Sequence, residues 1–212
     1  MPRHDPSEKT KLEILNAAVR LFAEKGWENV NVEDVVKEVG VTRGAFYHYF
    51  KSREDLIIAV TDRMFYDNNH FLMASKETSL NALQKLRLAI KLNLSENLKS
   101  SEMINEVLKA KENPVIFKSE FLSQLNTVAP YIEKLLIEGN EDGSISVQYP
   151  KQAAQVISLL SNFWLNHAVF QISHQEVADR LSFLEQLTEN MGVPILSDEI
   201  KEMILSYLKL HK

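Results

Sequence analysis

The side chains best suited to specific chemistry lie in one short stretch: Thr42, Arg43, Gly44, Tyr47, His48 and Lys51. Their tips donate and accept hydrogen bonds, and no activated nucleophile sits beside a base. This is a chemistry of recognition. Arg43 offers a planar fork that can bond two acceptors on one guanine edge, a contact that discriminates between bases by roughly 1–3 kcal/mol. Gly44 has no side chain, so the backbone there can approach a partner closely. Tyr47 and His48 follow three and four residues later, on the same face of a helix, with tips suited to phosphate oxygens or base edges. Phe46 and Phe50, four apart, face inward. The plain alternative for Arg43, Tyr47, His48 and Lys51 is a solvated surface on a structural helical unit. Arg53 and Arg3 stay open between a surface ion pair or loose arm and a phosphate contact.

Bond-making chemistry finds no support. The chain has no cysteine, which removes disulfides, thiolate metal sites and a thiol nucleophile, and fits a reducing compartment. The glycine-rich phosphate loops, the HExxH zinc motif and the GxSxG nucleophile motif are all missing from it. His167 and His174, seven apart, lack a carboxylate on their face and make a weak metal pair. No cofactor, no metal and no enzymatic activity are therefore expected. The net charge of −5 over 212 residues argues against a broadly nucleic-acid-binding surface. Between Val41 and Arg53, however, the charged residues are Arg43, Lys51 and Arg53, with no Asp or Glu. Screening limits distant charges to roughly 8–10 Å of reach, so an acidic chain can still carry one small basic face. The polar start, Met1 to Pro6, lacks the apolar core of a secretory signal, and the uncharged stretch 152–175 holds too many Gln, Asn and Ser for a lipid-facing span. A cytoplasmic location is expected.

These side chains need helices to position them. Six Gly and six Pro punctuate the chain, and no alternating run is long enough for a strand. The periodicity predicts helices over about 9–25, with Leu15, Ala18, Val19 and Phe22 on one face, and from Asn31, with Val35, Val36 and Val39 inward and Gly40 as the stop. A short helix over about 43–50 is capped by Thr42. A fourth runs from Ser52 to about 74, opened by a near capping box Ser52-Arg53-Glu54-Asp55. Longer helices follow over about 80–98, 102–111, 118–138, 150–172, 175–190 and 198–209, with Pro130 kinking or dividing the one that holds it. Two short helices joined by a tight turn, at about 31–50, suit a helix-turn-helix whose second member enters the major groove.

The run Asn31-Val32-Glu33-Asp34-Val35-Val36-Lys37-Glu38-Val39-Gly40-Val41-Thr42-Arg43-Gly44-Ala45-Phe46-Tyr47-His48-Tyr49-Phe50, continued to Leu56, closely resembles the N-terminal signature of TetR-family repressors. Residues 17–27, ending in Gly26-Trp27, look like that family's first helix and its Gly-aromatic turn. Asn31 stands where the family usually has Thr, and both cap helices. The order of aromatic and His at 48 and 49 varies in the family, which leaves open which of His48 and Tyr49 touches DNA. The resemblance implies an all-α fold, with a three-helix DNA-binding domain (1–55) joined by a long helix to a helical-bundle ligand-binding and dimerisation domain (56–212). It also implies a homodimer, a double-stranded operator and a small-molecule effector that releases the DNA. A TetR-like activator, or an enzyme on a borrowed helical fold, are the rival readings.

The remaining residues carry no such signature. Phe65, Met103, Phe117, Phe121, Phe163, Trp164 and His167 are candidates to line an effector pocket, since pockets are mostly apolar with a few polar groups; ordinary core is the alternative for each. The stretch 152–175 has no charged residue and is apolar around most of a helix, which calls for burial on more than one side. Ala154, Ser158 and Ser161 are small enough for close helix approach, and with Val177, Leu181, Leu184, Ile200, Ile204 and Tyr207 they suit an intersubunit bundle.

Overall fold

Four of the first five helices owe their boundaries to capping groups that the sequence displays. In a computed structural model of the chain, which describes residues 6–67, 69–99, 114–165, 170 and 173–210, every described regular element is helical. Helix α1 (Pro6–Lys25) turns Ile14, Leu15, Ala18 and Leu21 inward and stops at Gly26, which takes φ 78°. A single 3-10 turn (Trp27–Asn29) leads to α2 (Val32–Val39). The Asn31 side chain accepts from the Asp34 N–H at 3.0 Å, and the Asp34 carboxylate accepts from the Asn31 N–H at 2.9 Å, so the box satisfies two otherwise orphaned donors. Gly40 closes α2 in the left-handed region at φ 76°, where a side chain costs energy. Thr42 then caps α3 (Arg43–Tyr49) by accepting from the Ala45 N–H at 3.1 Å. Ser52 caps α4 (Arg53–Asp67) through the Asp55 N–H. The Asp55 carboxylate reaches past Ser52 to the Lys51 N–H at 2.9 Å.

The described residues fall into two compact units, 6–67 with 114–120 and 69–99 with 121–210. In the first, Ile14, Leu15, Ala18, Leu21, Val30, Val32, Val35, Val36, Phe46, Phe50, Leu56 and Val60 make one core. Phe46 and Phe50 are almost wholly buried there, each contributing roughly 1.5–3 kcal/mol by leaving water. Beside it, Ile116 from the start of α7 (Pro114–Ser123) packs with Ile57, Phe22 and Trp27.

The fourth helix is shorter than its periodicity predicts. It ends at Asp67, and α5 (His70–Ser75) begins afresh, because the buried Asn69 turns its carbonyl oxygen onto the Leu72 N–H at 2.8 Å and acts as a new N-cap. The predicted helix over 102–111 lies outside the described residues.

In the second unit α6 (Ala82–Lys99) packs against α5, α8 (Ala129–Asp142) and α11 (Asp198–Leu210), and α9 (Pro150–Leu159) against α8. Helix α10 (His174–Asn190) adds Val177, Leu181 and Leu184 to a cluster with Leu165. Pro130 lies in the first turn of α8, and the chain before it widens into a π-turn at Gln124–Val128, where the Ala129 N–H bonds the Gln124 carbonyl. Proline has no N–H and crowds the carbonyl four residues back, so the division expected at Pro130 takes this form. A second π-turn, Leu160–Trp164, follows α9. The helix expected over about 150–172 therefore widens at 160–164 without leaving helical conformation, and residues 166–169, 171 and 172 lie outside the described residues. Among the described residues no helix is long and apolar enough to cross a membrane.

Candidate nucleic-acid interface

Helix α3 presents two faces. Phe46 lies inward, with Phe50 just past its end, their rings 5.6 Å apart. Thr42, Arg43, Gly44, Tyr47, His48 and Lys51 are all exposed. The structure thus brings the six sequence candidates onto one solvent-facing stretch. Tyr49 is half-buried and packs on the core, with the His48 ring edge-on to it at 4.9 Å. Of the two residues left open by sequence, His48 is the more exposed.

The fold itself gives no local reason for Gly44. A methyl group built there would meet only the Thr42 Oγ1, at 3.8 Å, an ordinary contact. Its backbone is helical, not left-handed, so neither packing nor conformation requires glycine. Glycine in a helix interior costs roughly 0.8–1 kcal/mol relative to alanine, an upper limit for a first-turn position, and no contact at Gly44 among the described residues offsets it.

The electrostatics differ from the sequence expectation. The Arg43 guanidinium lies 2.7 Å from the Glu33 carboxylate on α2, both side chains more than half exposed. Its pKa is raised above the ordinary arginine value by a hydrogen bond with Tyr47, first, and by the charge of Glu33. The stretch 41–53 contains no acid, but the fold supplies one ten residues upstream. Sequence reasoning missed Glu33, since no helical spacing links positions on two different helices. Arg20 likewise pairs with Glu38, at 3.3 Å.

In the single chain Arg53 holds backbone carbonyls and an aromatic ring. Its Nε donates to the Val30 carbonyl at 2.7 Å, a second nitrogen donates to the Trp27 carbonyl, and its guanidinium lies 5.3 Å from the centre of the Trp27 ring. It ties the turn after α1 to the start of α4. Arg3 lies outside the described residues.

The candidate effector residues are scattered. Phe121 and Phe163 meet with ring centroids 5.5 Å apart. On the same pair of segments, the side-chain Oε1 of the buried Gln124 accepts from the Ser158 hydroxyl at 2.8 Å and from the Asn162 amide at 3.0 Å. Trp164 points elsewhere, edge-on to Phe183 at 5.7 Å with the Arg180 guanidinium 4.9 Å from its ring. Phe117 is half-buried in the first unit. Met103 and His167 lie outside the described residues, as does the side chain of Phe65. The small residues assigned to close approach between subunits divide: Ala154 and Ser158 are buried within their own chain, whereas Ser161 is exposed. Among the described residues no three His, Asp or Glu side chains are grouped to hold a metal.

Comparison with known proteins agrees with this geometry. Residues 14–60 match the model of bacterial regulatory proteins of the tetR family, and residues 96–187 match that of the tetracyclin repressor-like C-terminal domain. Over 60 residues the chain is 42% identical to the uncharacterized HTH-type transcriptional regulator YuxN of Bacillus subtilis, covering 28% of this chain and 20% of that protein. Over 111 residues it is 29% identical to the HTH-type transcriptional regulator TtgR of Pseudomonas putida, covering 50% and 52%. The chain thus spans about half the length, or less, of these curated relatives. A TetR-family regulator from Pectobacterium atrosepticum shares the fold, with a TM-score of 0.64 at 22% identity over 88% of this chain and 96% of that one. The ligand complex of RolR with resorcinol does so with a TM-score of 0.60 at 19% identity, over 93% and 94%. By its two matched models, its relatives and its fold, the chain belongs to the TetR family of bacterial regulatory proteins.

Proposed function

We propose that this chain is a dimeric transcriptional regulator of the cytoplasm, a repressor that leaves a near-palindromic operator when a small molecule binds. The observation that carries the reading is the outward stretch from Thr42 to Lys51: a short helix fixed by Phe46 and a capping Thr42, with glycine where the fold has no need of it. Residues 1–55 read DNA and residues 56–212 bind the effector and the second subunit. Thr42, Arg43, Gly44, Tyr47, His48 and Lys51 meet the duplex. Arg43 reads a base edge, and Lys51 meets phosphate. Two-fold symmetry places the two recognition helices in successive major grooves, with half-site centres roughly 34–36 Å apart.

The effector is an uncharged aromatic or apolar compound, contacted by residues drawn from Phe65, Met103, Phe117, Phe121, Phe163, Trp164 and His167. The apposed Phe121 and Phe163 rings, with Gln124, Ser158 and Asn162 close by in sequence and free of charge, support that class. The effector acts by binding the DNA-free state more tightly than the DNA-bound one. Association through the C-terminal helices is supported by Val156 on α9 and Phe183 on α10, which stay 38% and 54% exposed in the single chain.

Mobility shift with the protein's own upstream DNA tests the reading. Arg43→Ala should weaken binding to the preferred duplex selectively. Lys51→Ala should weaken all duplexes alike and lower the salt slope by about one. If neither variant changes binding, the assigned face is wrong.

A further inference from the structure

We infer that Glu33 is a positioning residue: from α2 it holds the fork of Arg43 in the orientation that reads a base. The inference rests on the proposed reading that α3 enters the major groove. Glu33 sits in the first turn of α2, and its carboxylate takes one nitrogen of the guanidinium at 2.7 Å. Tyr47 lies one turn along α3 on the same exposed face. The arginine side chain, which belongs to α3, is thereby tied to α2.

The pair does little for folding. Its members are 63% and 54% exposed, and exposed ion pairs contribute little to stability because water and salt compete for both partners. It does two things for recognition. A guanidinium has five N–H donors in a rigid plane; with one nitrogen engaged by Glu33, other donors remain for a guanine edge. Fixing the fork beforehand also lowers the conformational cost of binding, which falls on the correct contact. In addition, a carboxylate beside Arg43 opposes a phosphate, so an arginine that merely rests on the backbone is disfavoured. Both effects raise selectivity, and the second lowers affinity for random sequence.

The test is selection of preferred duplexes from a randomised pool by the full-length protein and by Arg43→Ala, Glu33→Gln and Glu33→Asp. Arg43→Ala should relax one base pair in each half-site. Glu33→Gln should relax that same pair by about 5–20-fold, within the range for losing one good base contact, and raise affinity for random-sequence duplex. Glu33→Asp keeps the charge but is one methylene shorter, so it should relax the pair without raising random-sequence affinity. Thermal unfolding of all three should stay close to that of the parent chain. The inference is overturned if the Glu33 variants select the same base pairs as the parent, or loosen every position equally, while Arg43→Ala still relaxes one pair; the assignment of α3 then survives. If Arg43→Ala relaxes no pair, the base-reading role of Arg43 fails and the inference falls with it.

Discussion

Gly44 separates stability from recognition at a single position. An added methyl would sit 3.8 Å from the Thr42 hydroxyl oxygen and touch nothing else. Gly44→Ala should therefore stabilise the free protein by up to about 1 kcal/mol, the helix preference for alanine over glycine. The same methyl lies on the face assigned to the groove, so binding to the preferred duplex should weaken. Thermal unfolding and mobility shift on one preparation check both halves; stabilisation without loss of binding would move the closest approach away from Gly44. The sequence announced this residue through its neighbours, because Phe46 and Phe50 at a spacing of four imply which side faces out. It did not announce Glu33 or the backbone bonds of Arg53. Their partners lie on other elements: Glu33 is ten residues before Arg43, and Arg53 reaches carbonyls at 27 and 30.

Local caps and distant caps differ in how readily sequence reveals them. Asn31, Thr42 and Ser52 bond N–H groups three residues ahead, so their elements were legible. Asn81 and Gln84 form the same reciprocal box at the start of α6; the pattern was present but was absorbed into a helix expected from about 80. Asn69 was missed for a related reason: the apolar residues after it continue the helical period, and only the buried cap breaks the helix. Of the two π-turns, only the one at Gln124–Val128 was foreshadowed, by Pro130. The start of α6 also depends on a group no spacing rule could find. Asp142, the last residue of α8, accepts from the Ala82 N–H at 2.8 Å, and Ser144 accepts from the Leu83 N–H at 3.2 Å. Hydrogen bonds from the Ser144 side chain, from the Ala82 N–H and from the Ser144 N–H lower the Asp142 pKa below its ordinary value. A depressed folded-state pKa means stability that is complete above the unfolded-state value and lost as pH falls through the folded one. Asp142→Asn should thus lower the melting temperature at neutral pH, and the gap from the parent should close below about pH 4, near the ordinary carboxylate value. A pH series of melting curves decides it; a gap constant across pH would remove the charge from the account.

For the molecule as a whole, the surface left uncovered on α10 matters most. Phe183 is 54% exposed beside Trp164, and Arg180 spans the Trp164 ring while hydrogen-bonding the Trp164 carbonyl and Glu176. Under the proposed assembly a second copy covers Phe183. Phe183→Glu should then shift the protein towards monomer in analytical ultracentrifugation and weaken operator binding, since each monomer would engage a single half-site. A variant that remains dimeric and binds normally would place the subunit contact elsewhere. The inward anchoring of α3 by Phe46 and Phe50 also bears on how such a protein changes over generations. Gly44, His48 and Lys51 stand outside the core that these two rings complete. Under the proposed reading, substitutions at those outer positions would alter which promoter a duplicated gene controls without disturbing the core of the head. New regulatory addresses are then reachable by single steps, and selection can act on each one separately from selection on folding.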